Sequence, residues 1–145
     1  MILTINSGST SVKLAAFECA SGATLRHVRS AQQSGPNLSA VQCLNEFFRA
    51  LPAQPVKVIA HRVVHGGDRY VQPLILDDQA VTALNALQDL APLHNPPAMR
   101  WIESAREAFG AGTLQIAAGG LCQLCVDFKR DHVLAAMCQQ RRHIA

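Results

Sequence analysis

A mixed α/β sheet with helices packed on it is the fold class that this sequence predicts. Three observations carry the prediction. Two strand-like runs, residues 2–6 and 12–18, flank a tight polar turn at the start of the chain. Residues 56–64 form a largely apolar run, interrupted only by Lys57, His61 and Arg62 and closed by Gly66-Gly67. From residue 39 onward, segments of helical spacing alternate with strand-like ones, the order expected when helices cover a sheet.

The elements follow in order. Ile2, Leu3 and Ile5 lead into Asn6-Ser7-Gly8-Ser9-Thr10-Ser11, and Val12, Leu14 and Phe17 resume the apolar pattern, so residues 2–18 are a β-hairpin. A third strand is expected over residues 24–29, after the Ser21-Gly22 turn. Residues 30–38 are polar, contain Gly35-Pro36, and are expected to be a loop. Ser39 is placed to cap a helix whose inner face carries Val41, Leu44, Phe48 and Leu51, and Pro52 and Pro55 end it. The apolar run at 56–64 is a strand covered on both faces. Asp77 or Asp78 starts a second helix, with Val81, Leu84, Leu87 and Leu90 or their neighbours facing inward. Asn95 is expected to cap a third, with Pro96 at its first position. Met99, Ile102, Ala105 and Phe109 mark its inner face, and Gly110 or Gly112 its end. Residues 113–118 make a last strand.

Composition narrows the function. With 145 residues, 49% of them hydrophobic, the chain suits one compact domain. The net charge of +3 is small and the Lys and Arg residues are scattered, which argues against a nucleic-acid face. No apolar run approaches the length of a membrane span. Met1 leads directly into a strand without a signal peptide, and the five cysteines are odd in number, so a cytoplasmic protein with free thiols is expected.

The chemistry concentrates in the first turn. One glycine, four hydroxyl residues, an amide and Lys13 just beyond can present backbone N–H groups, hydroxyls and a positive charge to a phosphate. The pattern is not a P-loop, since it lacks the glycine spacing, the Gly-Lys pair and the following helix. Arg62 lies within an apolar strand, where a guanidinium needs a partner; a bidentate carboxylate or phosphate is a good one, and a core Asp or Glu is the structural alternative. His61, His65 and His94 fit no standard zinc spacing and are taken as structural or loop-ordering.

Three segments, in the same order, resemble the acetate kinase family. Ile5-Asn6-Ser7-Gly8-Ser9-Thr10-Ser11-Val12-Lys13 is similar to its N-terminal phosphate motif. His61-Arg62-Val63-Val64-His65-Gly66-Gly67 is similar to its HRVVHGG segment, and Leu90-Ala91-Pro92-Leu93-His94-Asn95-Pro96-Pro97 to its LAPLHNPP segment. The resemblance covers residues 1–118. It implies the N-terminal lobe of the actin-like, sugar-kinase-like ATPase fold, and reversible phosphoryl transfer from ATP to acetate, giving acetyl phosphate and ADP. It further implies Asn6 beside a magnesium ion, Ser9, Thr10, Ser11 and Lys13 at the ATP phosphates, Arg62 at the acyl substrate, and Val64 and Leu93 around the acetate methyl. Thr10 and Ser7 depart mildly from the family's commoner residues and keep the hydroxyl and the small size. The family's dimers imply a homodimer for an intact member.

The match stops in mid-strand. Where the family continues with Phe-Asp-Thr-Ala-Phe, this chain has Gly119-Gly120-Leu121-Cys122-Gln123-Leu124-Cys125. The family's catalytic aspartate, its FHGTSH histidine, its second active-site arginine, the adenosine-binding glycines and the C-terminal glutamate for magnesium find no counterpart, so no catalytic residue is assigned here. Residues 119–145 are expected to be an unrelated tail, of the kind a frameshift produces. Two rival readings of that tail are a zinc knuckle of Cys122, Cys125, His132 and Cys138 and a Cys122–Cys125 redox pair; neither has the usual context. If it has structure, a short helix over residues 126–138 is expected. The functional rivals are a propionate or butyrate kinase, whose chain-length selectivity resides in the missing half, and a non-catalytic phosphate-binding or interaction module.

Overall fold

The computed structural model describes residues 1–19, 25–63, 74–110 and 112–119. Val64, His65, Gly66-Gly67 and the tail with Cys122, Cys125, His132 and Cys138 lie outside the described residues.

Apart from the two-residue β5, which the sequence reading did not anticipate, the described strands and helices follow the predicted order. The strands are β1 (Ile2–Ser7), β2 (Ser11–Cys19), β3 (Leu25–Ser34), β4 (Val58–Val63), β5 (Leu74–Ile75) and β6 (Leu114–Gly119), arranged β3-β2-β1-β4-β6-β5 in one sheet. β1, β4 and β6 run parallel; β2, β3 and β5 run antiparallel to their neighbours. The helices are α1 (Ala40–Arg49), α2 (Asp78–Asn85) and α3 (Asn95–Phe109), with one 3₁₀ turn at Gln88–Leu90. This is the α/β sheet expected.

Strand alternation sorts the residues of β1, β2 and β4 between two faces. On one face Leu3, Ile5, Val12, Leu14, Ala16 and Ile59 pack with Cys43, Leu44 and Phe47 of α1 and Trp101 and Ala105 of α3. Farther along, Val63 and Ala117 pack with Leu84 of α2 and Ala98, Met99 and Ile102 of α3. Burying a side chain such as Leu44 or Ile102 contributes about 1.5–3 kcal/mol. The opposite face carries a smaller cluster of Ile2, Val58, Ala60 and Ile116. Both alternate sets of β4 are thus buried, as its apolar composition predicts.

Local chemistry sets the helix ends. Ser39 caps α1 by accepting from the Gln42 N–H, and Asp77 caps α2 by accepting from the Ala80 N–H at 2.7 Å. Gly110 ends α3 at φ 67°, a left-handed conformation that glycine adopts without steric cost.

The structure corrects the sequence reading in three places. Residues 30–34 are strand, not loop: β3 runs to Ser34 because each of its residues there finds a partner on the long β2, from Ala15↔Ser30 to Ser11↔Ser34. β3 is an edge strand, so its polar side chains need no burial. The inner face of α1 centres on Cys43, Leu44 and Phe47; Phe48 and Leu51 pack half-buried at its edge, and Val41 is exposed. Asn95 does not cap α3. It lies inside the helix, buried, and its amide donates to the Leu87 carbonyl at 3.2 Å.

Candidate functional site

The parallel strands β1 and β4 end side by side, and ligands of open α/β sheets bind outside such carboxyl ends. β1 ends at Asn6 and Ser7, then turns through Gly8-Ser9-Thr10 into β2; the Gly8 N–H donates to the Ser11 carbonyl at 2.7 Å and closes the turn. Ser9 and Thr10 are exposed at the tip, and Ser11 is half-buried. Gly8 has no left-handed backbone, and a Cβ there would sit 3.5 Å from the Ser11 hydroxyl, an ordinary contact. The fold therefore does not itself require glycine at this position; bare backbone leaves room for a ligand to approach the tip.

Register brings the predicted residues together. Asn6 pairs directly with Lys13 across β1 and β2. On the other side, Ile5 pairs with His61, so the next residues, Asn6 and Arg62, stand level on adjacent parallel strands. Asn6, Lys13 and Arg62 consequently share the sheet face opposite α1 and α3. Arg62 is half-buried and Lys13 exposed, and neither makes an ion pair with a carboxylate among the described residues. The alternative of a core Asp or Glu as partner for Arg62 finds no support there.

A groove of about 440 Å³ opens on this face, with Thr4, Asn6, Lys13, Phe17, Ser30 and Gln32 among its lining residues. Among the described residues no carboxylate lines it and Lys13 is the one charged group in its wall, which favours an anion. A larger hollow, about 770 Å³, lies behind the hairpin between α1 and α3. It shares Gly8 and Ser9 with the turn, but Glu103 and Glu107 beside Arg100 offset its positive charge. Size points to that hollow and chemistry to the smaller groove; charge decides for the groove.

Leu93 is 70% exposed in the segment before α3, so it is not a core residue here. It lies next to the start of α3, whose Ala98 and Met99 pack on Val63 at the carboxyl end of β4, and so belongs to the same end of the sheet as Arg62. His61 faces the opposite way, into the helix-side core. It is 1% exposed, and its Nε2 lies 2.8 Å from the Gln115 side-chain oxygen. Nδ1 is buried without a hydrogen-bond partner. Desolvation lowers the imidazole pKa to about 4, against a smaller upward pull from Gln115, so His61 is neutral near pH 7. Among the described residues no three His, Cys, Asp or Glu side chains gather into a metal site. None of their helices is long and apolar enough to cross a membrane.

Ser30 and Gln32 are the site residues that sequence reasoning missed. No local signal marks them: the pairing of Gln32 with Lys13 depends on the β2–β3 register, which shifts at a bulge between Ala16 and Phe17.

Comparison with known proteins identifies the family and the fold. A family model described as the acetokinase family matches residues 39–119. The acetate kinase of Deinococcus deserti is 31% identical over an alignment covering 76% of this chain and 33% of that protein. That of Deinococcus radiodurans is 35% identical, covering 74% and 32%. Among solved structures, the acetate kinase of Porphyromonas gingivalis superposes with a TM-score of 0.64 at 18% identity, over 81% of this chain and 36% of that one. A propionate kinase from Francisella tularensis gives 0.58 at 23% identity, over 81% and 36%. The chain spans about a third of the length of the curated relatives it matches. Its fold is that of a lobe of these kinases, and the chain belongs to the acetokinase family.

Proposed function

We propose that this chain carries the acyl- and phosphate-binding half of an acetate kinase site, for reversible transfer of the γ-phosphoryl group of ATP to acetate. The observation that supports the reading is the convergence of Asn6, Lys13 and Arg62 on one sheet face, beside a groove whose wall, among the described residues, carries a lysine and no carboxylate.

Acetate is already a carboxylate at pH 7, so no proton has to be removed before attack. The Arg62 guanidinium holds it by a two-pronged contact and aims one oxygen at the γ-phosphorus. That oxygen forms the new P–O bond as the bond to the β-phosphate oxygen breaks, and ADP departs with the electron pair. The transfer depends mainly on positioning and on neutralising charge. Lys13 and the hydroxyls of Ser9, Thr10 and Ser11 donate to phosphate oxygens. Val64 and Leu93 would border the acetate methyl.

The donor set suits a magnesium ion only in part. A single amide, Asn6, cannot hold the ion alone, but Mg²⁺ keeps several waters and is commonly carried on substrate phosphates. Asn6 would then contact its water shell, and the ion would supply charge neutralisation at the phosphates. A cytoplasmic setting, where thiols stay reduced, and a homodimeric parent enzyme complete the reading. Propionate as acceptor is the alternative within the same chemistry, a choice that residues around the acyl methyl would make.

The test is a chimera of residues 1–118 with the remainder of the Deinococcus radiodurans acetate kinase, assayed for ATP- and magnesium-dependent acetyl phosphate. The proposal expects turnover, and a loss of about 10²–10³-fold on Arg62→Ala, the effect of removing one charge-stabilising donor. The 145-residue chain alone is expected to show negligible turnover. A folded chimera that binds ATP but makes no acetyl or propionyl phosphate would contradict the proposal.

A further inference from the structure

The cross-strand partner of Lys13 on β3 is Gln32. Both are exposed, both line the groove with Asn6, and residues directly opposite on antiparallel strands have Cβ atoms about 4.5–5.5 Å apart. The neighbouring glutamine shows the contrast. Gln33 points to the helix side, where its amide donates to Glu46 at 3.1 Å and its oxygen lies 2.6 Å from the Cys43 sulfur. Gln33 is tied into the packing of α1; Gln32 faces only the groove.

A lysine on an open strand has many rotamers, and ordering them opposes ligand binding. An acceptor directly opposite the ammonium reduces that cost by favouring one rotamer when the anion binds. A carboxylate there would also hold the lysine but would cancel its charge towards an anion. An amide holds it and leaves the charge intact.

We propose that Gln32 is a positioning residue for Lys13 in phosphoryl-group binding. Its side-chain oxygen accepts a hydrogen bond from the Lys13 ammonium and holds that charge towards a phosphate oxygen in the groove. This rests on the reading of the groove as a phosphate site.

The experiment is calorimetric titration of the full 145-residue chain with acetyl phosphate, for the wild type, Lys13→Ala, Gln32→Ala, the double variant and Ser30→Ala, with melting temperatures measured alongside. Gln32→Thr, which keeps strand propensity, guards against loss of the fold. Lys13→Ala is expected to weaken binding about tenfold and Gln32→Ala about three- to fivefold, at unchanged melting temperature. The double variant should bind no worse than Lys13→Ala alone, because Gln32 acts through the lysine. Ser30→Ala should bind like the wild type. If Lys13→Ala weakens binding and the Gln32 variants do not, or if the two effects add, the role of Gln32 is overturned while the groove stands. If the wild type does not bind acetyl phosphate, or Lys13→Ala binds equally well, the groove reading fails and the role of Gln32 with it.

Discussion

The two faces of the sheet divide the labour of this chain residue by residue. On β1, Leu3 and Ile5 enter the helix-side core while Asn6 faces the groove; on β2, Val12 and Leu14 enter the core while Lys13 faces the groove. On β4, Ile59 and Val63 pack under α3 while Arg62 shares the face of Asn6. Neighbouring residues thus serve stability and chemistry separately, because a strand's period of two sends them to opposite sides. The helix side holds its polar groups in pairs, His61 with Gln115 and Gln33 with Glu46. The groove side leaves its cations without a carboxylate partner among the described residues. A side that is packed and largely paired, with His61 Nδ1 the exception, stabilises the fold; a side that presents cations without carboxylate partners can bind.

The sharpest break of this contrast is on the helix side. Ile102 is fully buried between β4 and α2, so Ile102→Ala should cost about 2–5 kcal/mol, read by urea unfolding. Acetyl phosphate affinity of the fraction that remains folded should not change. Lowering the pH attacks the same side at His61. Its pKa is about 4 in the folded chain against 6.5 for a free imidazole, so the unfolded chain binds the proton first as pH falls. Stability is fully present above about pH 6.5 and declines towards pH 4, by about 3 kcal/mol. His61→Leu should flatten that dependence in unfolding experiments at pH 4.5 to 7. The smallest effect is at a helix end: Asp77→Ala removes the acceptor of the Ala80 N–H and should cost about 1 kcal/mol, seen as a lower unfolding midpoint with unchanged ligand affinity.

What the sequence made legible was local. The hairpin, the Ser39 cap, an Asp cap at α2 and the Gly110 stop each follow from a few adjacent residues. Asn6, Lys13 and Arg62 could be nominated as site candidates from adjacent residues in the same way, though not their common face, which needs the register of three strands. The misses were non-local. Residues 30–34 hold no β-branched side chain, and only pairing with β2 makes them strand. With Phe47 and Phe48 adjacent, periodicity alone could not say which would be fully buried: Phe47 enters the core, and Phe48 lies half-buried against Phe109 of α3. Asn95 looks like a cap by type, and its buried bond to Leu87 depends on the turn before it. The partnership of His61 with Gln115 spans 54 residues. Gln32 was hidden by the same error that shortened β3.

The most direct measurement is a map of amide shifts in the ¹⁵N-labelled chain as acetyl phosphate is added. The account predicts saturable shifts along the turn from Asn6 to Lys13, at Gln32 and at Arg62, with Leu44, Phe47 and Ile102 unmoved. Shifts confined to the hollow around Ala40 and Arg100, or none at all, would contradict it.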